Sequence, residues 1–178
     1  MKNSKIVIVG LVVIVALGAV YITLNKPNNI KSSTPISEVQ NPLKTLTVDE
    51  IGLTFSYPRD FSYRKEIGDN LGQLHTVAFY VEKGDPQKPD YQLYGLFLAD
   101  KQSSITDLEK SKTEMDKSTI KEASIGGYTG IEGLILGPKT RYITSVLKDG
   151  HLFSVSTFPP TPENKALTDS IISSLSFK

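Results

Sequence analysis

The chain has 178 residues, 39% hydrophobic and 22% charged, which allows one ordinary globular core plus an appendage rather than two domains. Of its 20 basic residues, Lys2 and Lys5 precede a long apolar run; beyond that run 18 face 19 acidic ones, a net charge of −1 that leaves no basic footprint for nucleic acid. The absence of cysteine excludes disulfides, thiolate metal sites, a cysteine nucleophile and lipid attachment at a cysteine.

Residues 6–24, "IVIVGLVVIVALGAVYITL", carry no charge. As a helix rising 1.5 Å per residue they span about 28 Å, the thickness of a hydrocarbon core of roughly 30 Å. A single transmembrane anchor is expected, with residues 1–5 as a cytoplasmic head. The rival is a cleaved signal peptide with a small-x-small site at Ala16-Leu17-Gly18, but the apolar run continues past it through Val20, Tyr21, Ile22 and Leu24. Lys26 and Lys31 balance Lys2 and Lys5, so the short head decides the orientation: N-terminus cytoplasmic, the rest extracytoplasmic, at the cell membrane. Gly10 and Gly18 stand eight apart and lack the four-residue spacing of a helix-dimer motif. Residues 25–43 are rich in Asn, Ser and Pro and bury too little to offset ordering entropy; they read as a disordered linker reaching roughly 25 Å.

The folded domain is expected over residues 44–178. In "KTLTVDEIGLTFSYP" apolar residues alternate on both sides of Ile51-Gly52, predicting a hairpin that ends at Pro58, which cannot donate to a ladder. Pro58-Arg59-Asp60 turns, and Phe61 and Tyr63 return to the apolar face. "LHTVAFYVE" and "YQLYGLFLAD" follow as longer strands separated by an irregular loop, "KGDPQKPD"; the continuous apolar run 93–99 predicts a strand covered on both faces. Ser104 and Asp107 open a surface helix with Ile105, Leu108 and Met115 on one stripe. Gly126-Gly127, Gly137-Pro138 and Asp149-Gly150 then punctuate antiparallel strands near 120–125, 128–136, 140–148 and 151–158. Thr161 and Pro162 start a closing helix carrying Leu167, Ile171 and Leu175. The fold class is α+β, an antiparallel sheet with flanking helices.

The order of these parts, with "GLTFSYPRDF", "ASIGGYTGIEG" and "ENKALTDSIISSLSF", resembles the PsbP-like family, whose α/β/α sandwich is shared with the Mog1 proteins. Phe55, Tyr57, Pro58 and Phe61 occupy the places of that family's aromatic-Tyr-Pro-x-x-aromatic start, although its frequent final Trp is missing, since the chain has none. The resemblance covers residues 44–178 and implies that the Tyr-Pro break hands the chain from the first hairpin to the main sheet. Photosynthetic members assist the water-oxidising complex from the lumen side and Mog1 members bind a small GTPase; no residue of either binding surface carries over. Membrane-anchored bacterial members share this chain's layout.

Motifs of chemistry are sparse. His75 and His151 belong to no close-spaced ligand pair, share strand parity with core residues and read as rim positions. Gly-x-Ser-x-Gly is absent, so no nucleophile elbow points to hydrolysis. The glycines of 126–133 start a strand rather than a helix, which argues for close backbone packing and against a phosphate loop. Asp69, Asp85 and Asp90 are too sparse for calcium and read as a solvated loop. Tyr57, Arg59, Tyr63 and Arg64 combine aromatic and cationic groups near the hairpin exit, a composition favoured at interfaces. The expectation is a membrane-anchored, non-catalytic interaction or accessory module with a protein partner and no cofactor or metal. The alternative is a small-ligand-binding or lipoprotein-like secreted domain, conceivably an enzyme, with a pocket between sheet and helices.

Overall fold

The computed structural model describes residues 42–70 and 72–178. The expected head (1–5) and membrane helix (6–24), and nearly all of the linker (25–43), lie outside them. Among the described residues no helix is long and apolar enough to cross a membrane.

The first strand, β1 (Leu43–Val48), begins one residue inside the expected linker and pairs with β2 (Leu53–Pro58) across a 3-10 turn at Asp49–Ile51. Thr45 and Thr47 face solvent opposite Ser56 and Thr54, while Val48, Leu53, Phe55 and Tyr57 point inward, as the alternation dictates. At Pro58 the strand ends: Phe61 N–H donates to Pro58 C=O, closing the turn, and the chain crosses into another sheet. That sheet has seven antiparallel strands in the order β3 (Ser62–Asn70), β4 (Gln73–Asp85), β5 (Lys88–Gln102), β9 (His151–Phe158), β8 (Arg141–Lys148), β7 (Tyr128–Ile135) and β6 (Lys121–Ile125). The two-residue Ser176–Phe177 strand, β10, joins the free edge of β2 and completes a separate three-stranded sheet.

One face of the large sheet meets the small sheet and the helix α2 (Pro162–Ser173). Between them lies the main core, built on Phe55, Phe79, Leu93, Phe97, Phe153 and Ile171. Phe79 stacks 5.2 Å from Phe55 and 6.3 Å from Phe153, and its ring occupies the space a side chain at Gly95 would need. Thr161 caps α2 by accepting from Asn164 N–H at 3.2 Å, and the Asn164 amide donates to Asp90 C=O, binding the helix start to β5. Two buried polar links hold α2 down: Thr168 bonds Tyr91 (2.9 Å) and Thr157 (2.8 Å), and Lys165 reaches Glu132 at 3.0 Å.

The opposite face is covered over only part of its width. Helix α1 (Ile105–Lys112), with the capping box of Ser104 and Asp107, packs Leu108 and the following Met115 against Ile131, Ile135 and Ile143 of β7 and β8. The layers are therefore a small sheet plus α2, the large sheet, and α1 with its flanking loop, so one outer layer of the expected α/β/α sandwich is mixed.

Four local expectations are corrected. "KGDPQKPD" is a bulged hairpin tip: pairing runs on to Asp85↔Lys88, with a register shift at Lys83/Gly84, leaving Pro86 and Gln87 alone in the turn. Strand β5 is fully buried on one face only, because Tyr94, Leu96 and Leu98 lie half-buried on the other. Helix α1 stops at Lys112, so Ile105 stands 66% exposed and Met115 is buried from a bridge to Ile135 instead of from a helical stripe. Helix α2 ends at Ser173, and Leu175 enters the core from beyond it.

Candidate functional site

The half of the outer face that α1 leaves open is a lattice of cross-strand rows. Core-facing residues of β3, β4, β5 and β9 alternate with outward ones, so pairing aligns the outward set. One row runs Arg64↔Tyr80↔Tyr94↔Ser156↔Ile143 across five strands. The next runs Ser62↔Glu82↔Gln92↔Phe158, and on the other side Glu66↔Ala78↔Leu96↔Ser154↔Ser145.

Within these rows the contacts are specific. Tyr80 and Tyr94 rings lie 4.8 Å apart, and the Arg64 guanidinium sits 3.2 Å from the Tyr80 centroid. Arg64 Nε also donates to Glu82 at 3.3 Å, and Glu66 pairs with the same guanidinium. Glu82, only 7% exposed, takes a second bond from the Gln92 amide at 2.5 Å, so the carboxylate is spent within the lattice. Burial works against the Arg64 charge, but Glu82, Tyr80 and Glu66 outweigh it and hold the guanidinium above its usual range. Burial likewise raises Tyr94, which stays a neutral donor or acceptor at physiological pH. The result is a preorganised strip of stacked aromatics and cation, the kind of surface that anchors a partner.

Where this strip meets α1 the surface dips. Two depressions of about 230 and 240 Å³ share Tyr94, Arg141 and Ser156 and form one cleft. Its inner half is walled by Leu96, Met115, Ile135, Ile143 and Leu152; its outer half by Tyr80, Gln92, Lys139 and Phe158. A broader hollow of about 570 Å³ lies along α1 between Ile105, Leu108, Ile120 and Ile131.

The candidates from the sequence disperse. Tyr57 is 3% exposed and Tyr63 half-buried on the inner face, their rings 6.3 Å apart; burial pushes the Tyr63 phenol up to about 12. Arg59 is exposed in the turn, and Arg64 stands on the opposite face of the sheet. The four form no common surface, and of them Arg64 alone belongs to the open strip. His75 pairs with Asp100 at the rim, and His151 Nδ1 lies 3.1 Å from Leu98 C=O with its ring against Phe97. Asp69 and Asp85 cap their own turns by accepting from Gly72 and Gln87 N–H. In the 126–133 stretch, a Cβ on Gly130 would fall 1.9 Å from Ser145 C=O and one on Gly133 2.7 Å from Met115 Sδ, so close approach explains those glycines. Sequence reasoning missed Tyr80, Glu82, Gln92, Tyr94 and Arg141. Their signal was the parity opposite to Phe79, Val81, Tyr91 and Leu93 in strands already recognised.

The site and fold thus define an antiparallel α+β domain with one open, aromatic sheet face. No protein-family model matches the chain, and no curated protein does. Among solved structures, cyanobacterial PsbP (CyanoP) from Synechocystis sp. PCC 6803 is similar with a TM-score of 0.49 and 15% identity, over 78% of this chain and 94% of that one. A crystal structure from Bacteroides thetaiotaomicron VPI-5482 is similar with a TM-score of 0.45 and 14% identity, over 71% of this chain and 45% of that one. The cyanobacterial protein bears the name of the family the sequence resembles. The likeness is one of fold and transfers no residue, partner or role.

Proposed function

We propose that this chain is a non-catalytic interaction module, tethered to the cell membrane by residues 6–24 and displayed outside the cytoplasm, that docks a protein partner on the open face of β3, β4 and β5. The observation carrying the reading is the Arg64–Tyr80–Tyr94 row, three groups stacked in contact and left uncovered beside a half-face that α1 does cover. The tether rests on the uncharged 19-residue run and the short positive head. A small-ligand site, the second reading, is favoured by the cleft under α1.

The test places a photo-crosslinking amino acid at Tyr80 in the full-length chain in intact cells, with Thr47, exposed on the small sheet, as control. A single partner captured from Tyr80, absent from Thr47 and lost with Arg64→Glu, is the expected result. Equal capture from both positions, or none, refutes the docking face. Protease added to intact cells should remove the domain; protection until the membrane is permeabilised would overturn the orientation.

A further inference from the structure

We infer that the cleft under α1 receives the C-terminal residue of a partner protein, its apolar side chain in the inner half and its terminal carboxylate against Arg141 and Lys139. The inference rests on reading the open sheet face as a protein-docking surface, and names what the partner presents to it. The inner depression, about 230 Å³, has Leu96, Met115, Ile135, Ile143 and Leu152 as its apolar walls, with Ser111, Glu114, Ser145 and Ser154 also lining it. The apolar walls give room for one aliphatic side chain.

A hydroxyl and two cations meet at the mouth. Ser156 is 7% exposed, and its hydroxyl lines the cleft with no side-chain hydrogen bond among the described residues. Solvent reaches this oxygen, so it stays free to bond a group that enters the cleft. Arg141 is half-buried and oriented by a bond from Nη1 to Lys139 C=O at 3.2 Å. Neither Arg141 nor Lys139 has a carboxylate within 4.0 Å among the described residues, so two cations flank the hydroxyl without a counter-charge.

The other charges on this surface decide between a terminal carboxylate and an acidic stretch. Glu114 lines the inner half from just beyond α1, and Glu66 and Glu82 stand on the sheet, the last two already paired with Arg64. A run of acidic side chains would meet these three. One carboxylate at the Lys139 and Arg141 end meets cations only, and a guanidinium can grip it with two parallel bonds. The residues preceding the terminus would then lie along Tyr94, Gln92 and Tyr80, where the face is open.

The experiment measures binding of fluorescent short peptides to the full chain in nanodiscs. Peptides ending in Leu with a free carboxylate are compared with the same peptides ending in an amide or in Gly. Binding of the Leu carboxylate should exceed both controls by about tenfold or more, the worth of one charge-assisted hydrogen bond against the amide and of one buried aliphatic side chain against Gly. Arg141→Gln should abolish the preference over the amide, while amide chemical shifts elsewhere in the domain stay in place. Equal binding of carboxylate and amide, no binding, or binding of sodium octanoate in the cleft without the peptide would overturn the inference. Crosslinking from Tyr80 separates the two readings. Capture that persists in Arg141→Gln at full yield leaves the docking face standing and removes the terminus, whereas no capture from the wild-type chain removes both.

Discussion

Replacing Gly95 with alanine tests how the core is filled. The new Cβ would lie 2.2, 2.3 and 2.7 Å from three atoms of the Phe79 ring, well inside van der Waals contact. The ring cannot swing away, because Phe79 is 1% exposed and held between Phe55 and Phe153. Overpacking of this kind costs about 1 to 3 kcal/mol, against up to about 1 kcal/mol regained because alanine has less chain entropy to lose than glycine. A net loss of about 1 to 2 kcal/mol is expected, which with a urea slope of about 1 to 3 kcal/mol/M moves the midpoint down by roughly 1 M. Urea titration followed by tyrosine fluorescence and near-ultraviolet dichroism reads it, since the chain has no tryptophan. The same substitution in a Phe79→Leu background should cost less than half as much, a coupling that a double-mutant cycle isolates. Equal costs in both backgrounds, or a gain in stability from Gly95→Ala alone, would refute the account of that contact.

Glu132 is 5% exposed and takes Lys165 at 3.0 Å, Lys121 at 3.1 Å and the Thr144 hydroxyl at 3.0 Å, so Glu132→Gln should destabilise by about 1 to 3 kcal/mol at neutral pH. Burial works against its charge, but the two lysines and Thr144 outweigh that and hold the carboxyl below its usual range. Its contribution is therefore present at neutral pH and lost as pH falls through the carboxylate range. Urea midpoints should fall more gently on acidification in the variant than in the wild type; parallel curves would count against the assignment. Thr161→Ala should cost about 1 kcal/mol by removing the cap on Asn164 N–H, with Thr161→Ser recovering most of it in thermal melts, and an unchanged melt would show that the cap does not matter.

Most of the strand order was legible because turn chemistry is local. Asp149 and Gly150 both adopt positive φ (51° and 78°), the requirement that marked a two-residue hairpin from the dipeptide alone. Pro58 likewise announced a strand end by its missing donor, and the structure places the change of sheet there. The hairpin of β4 and β5 was harder to read, because Gly84, Pro86 and Pro89 look like loop residues while a bulge lets pairing continue around them. Tyr63 and Arg64 illustrate the limit for the site. Adjacent on one strand, they point to opposite faces by simple alternation, yet sequence proximity grouped them. Arg64 meets Tyr80 and Tyr94 through register, which depends on where distant strands meet, and Arg141 joins them only through β8 and β9.

The pairing of β2 with β10 has a consequence for the order in which the protein can be made. Ser56 N–H is held by the Ser174 hydroxyl, 118 positions further along, and Phe177 of β10 lies edge-on to Phe153 and Tyr128. A nascent chain emerging from the ribosome therefore exposes its first hairpin, apolar side bare, through the synthesis of all seven strands that will cover it. Closure over such sequence distances is slow, and a chaperone has the whole of that interval in which to hold the hairpin.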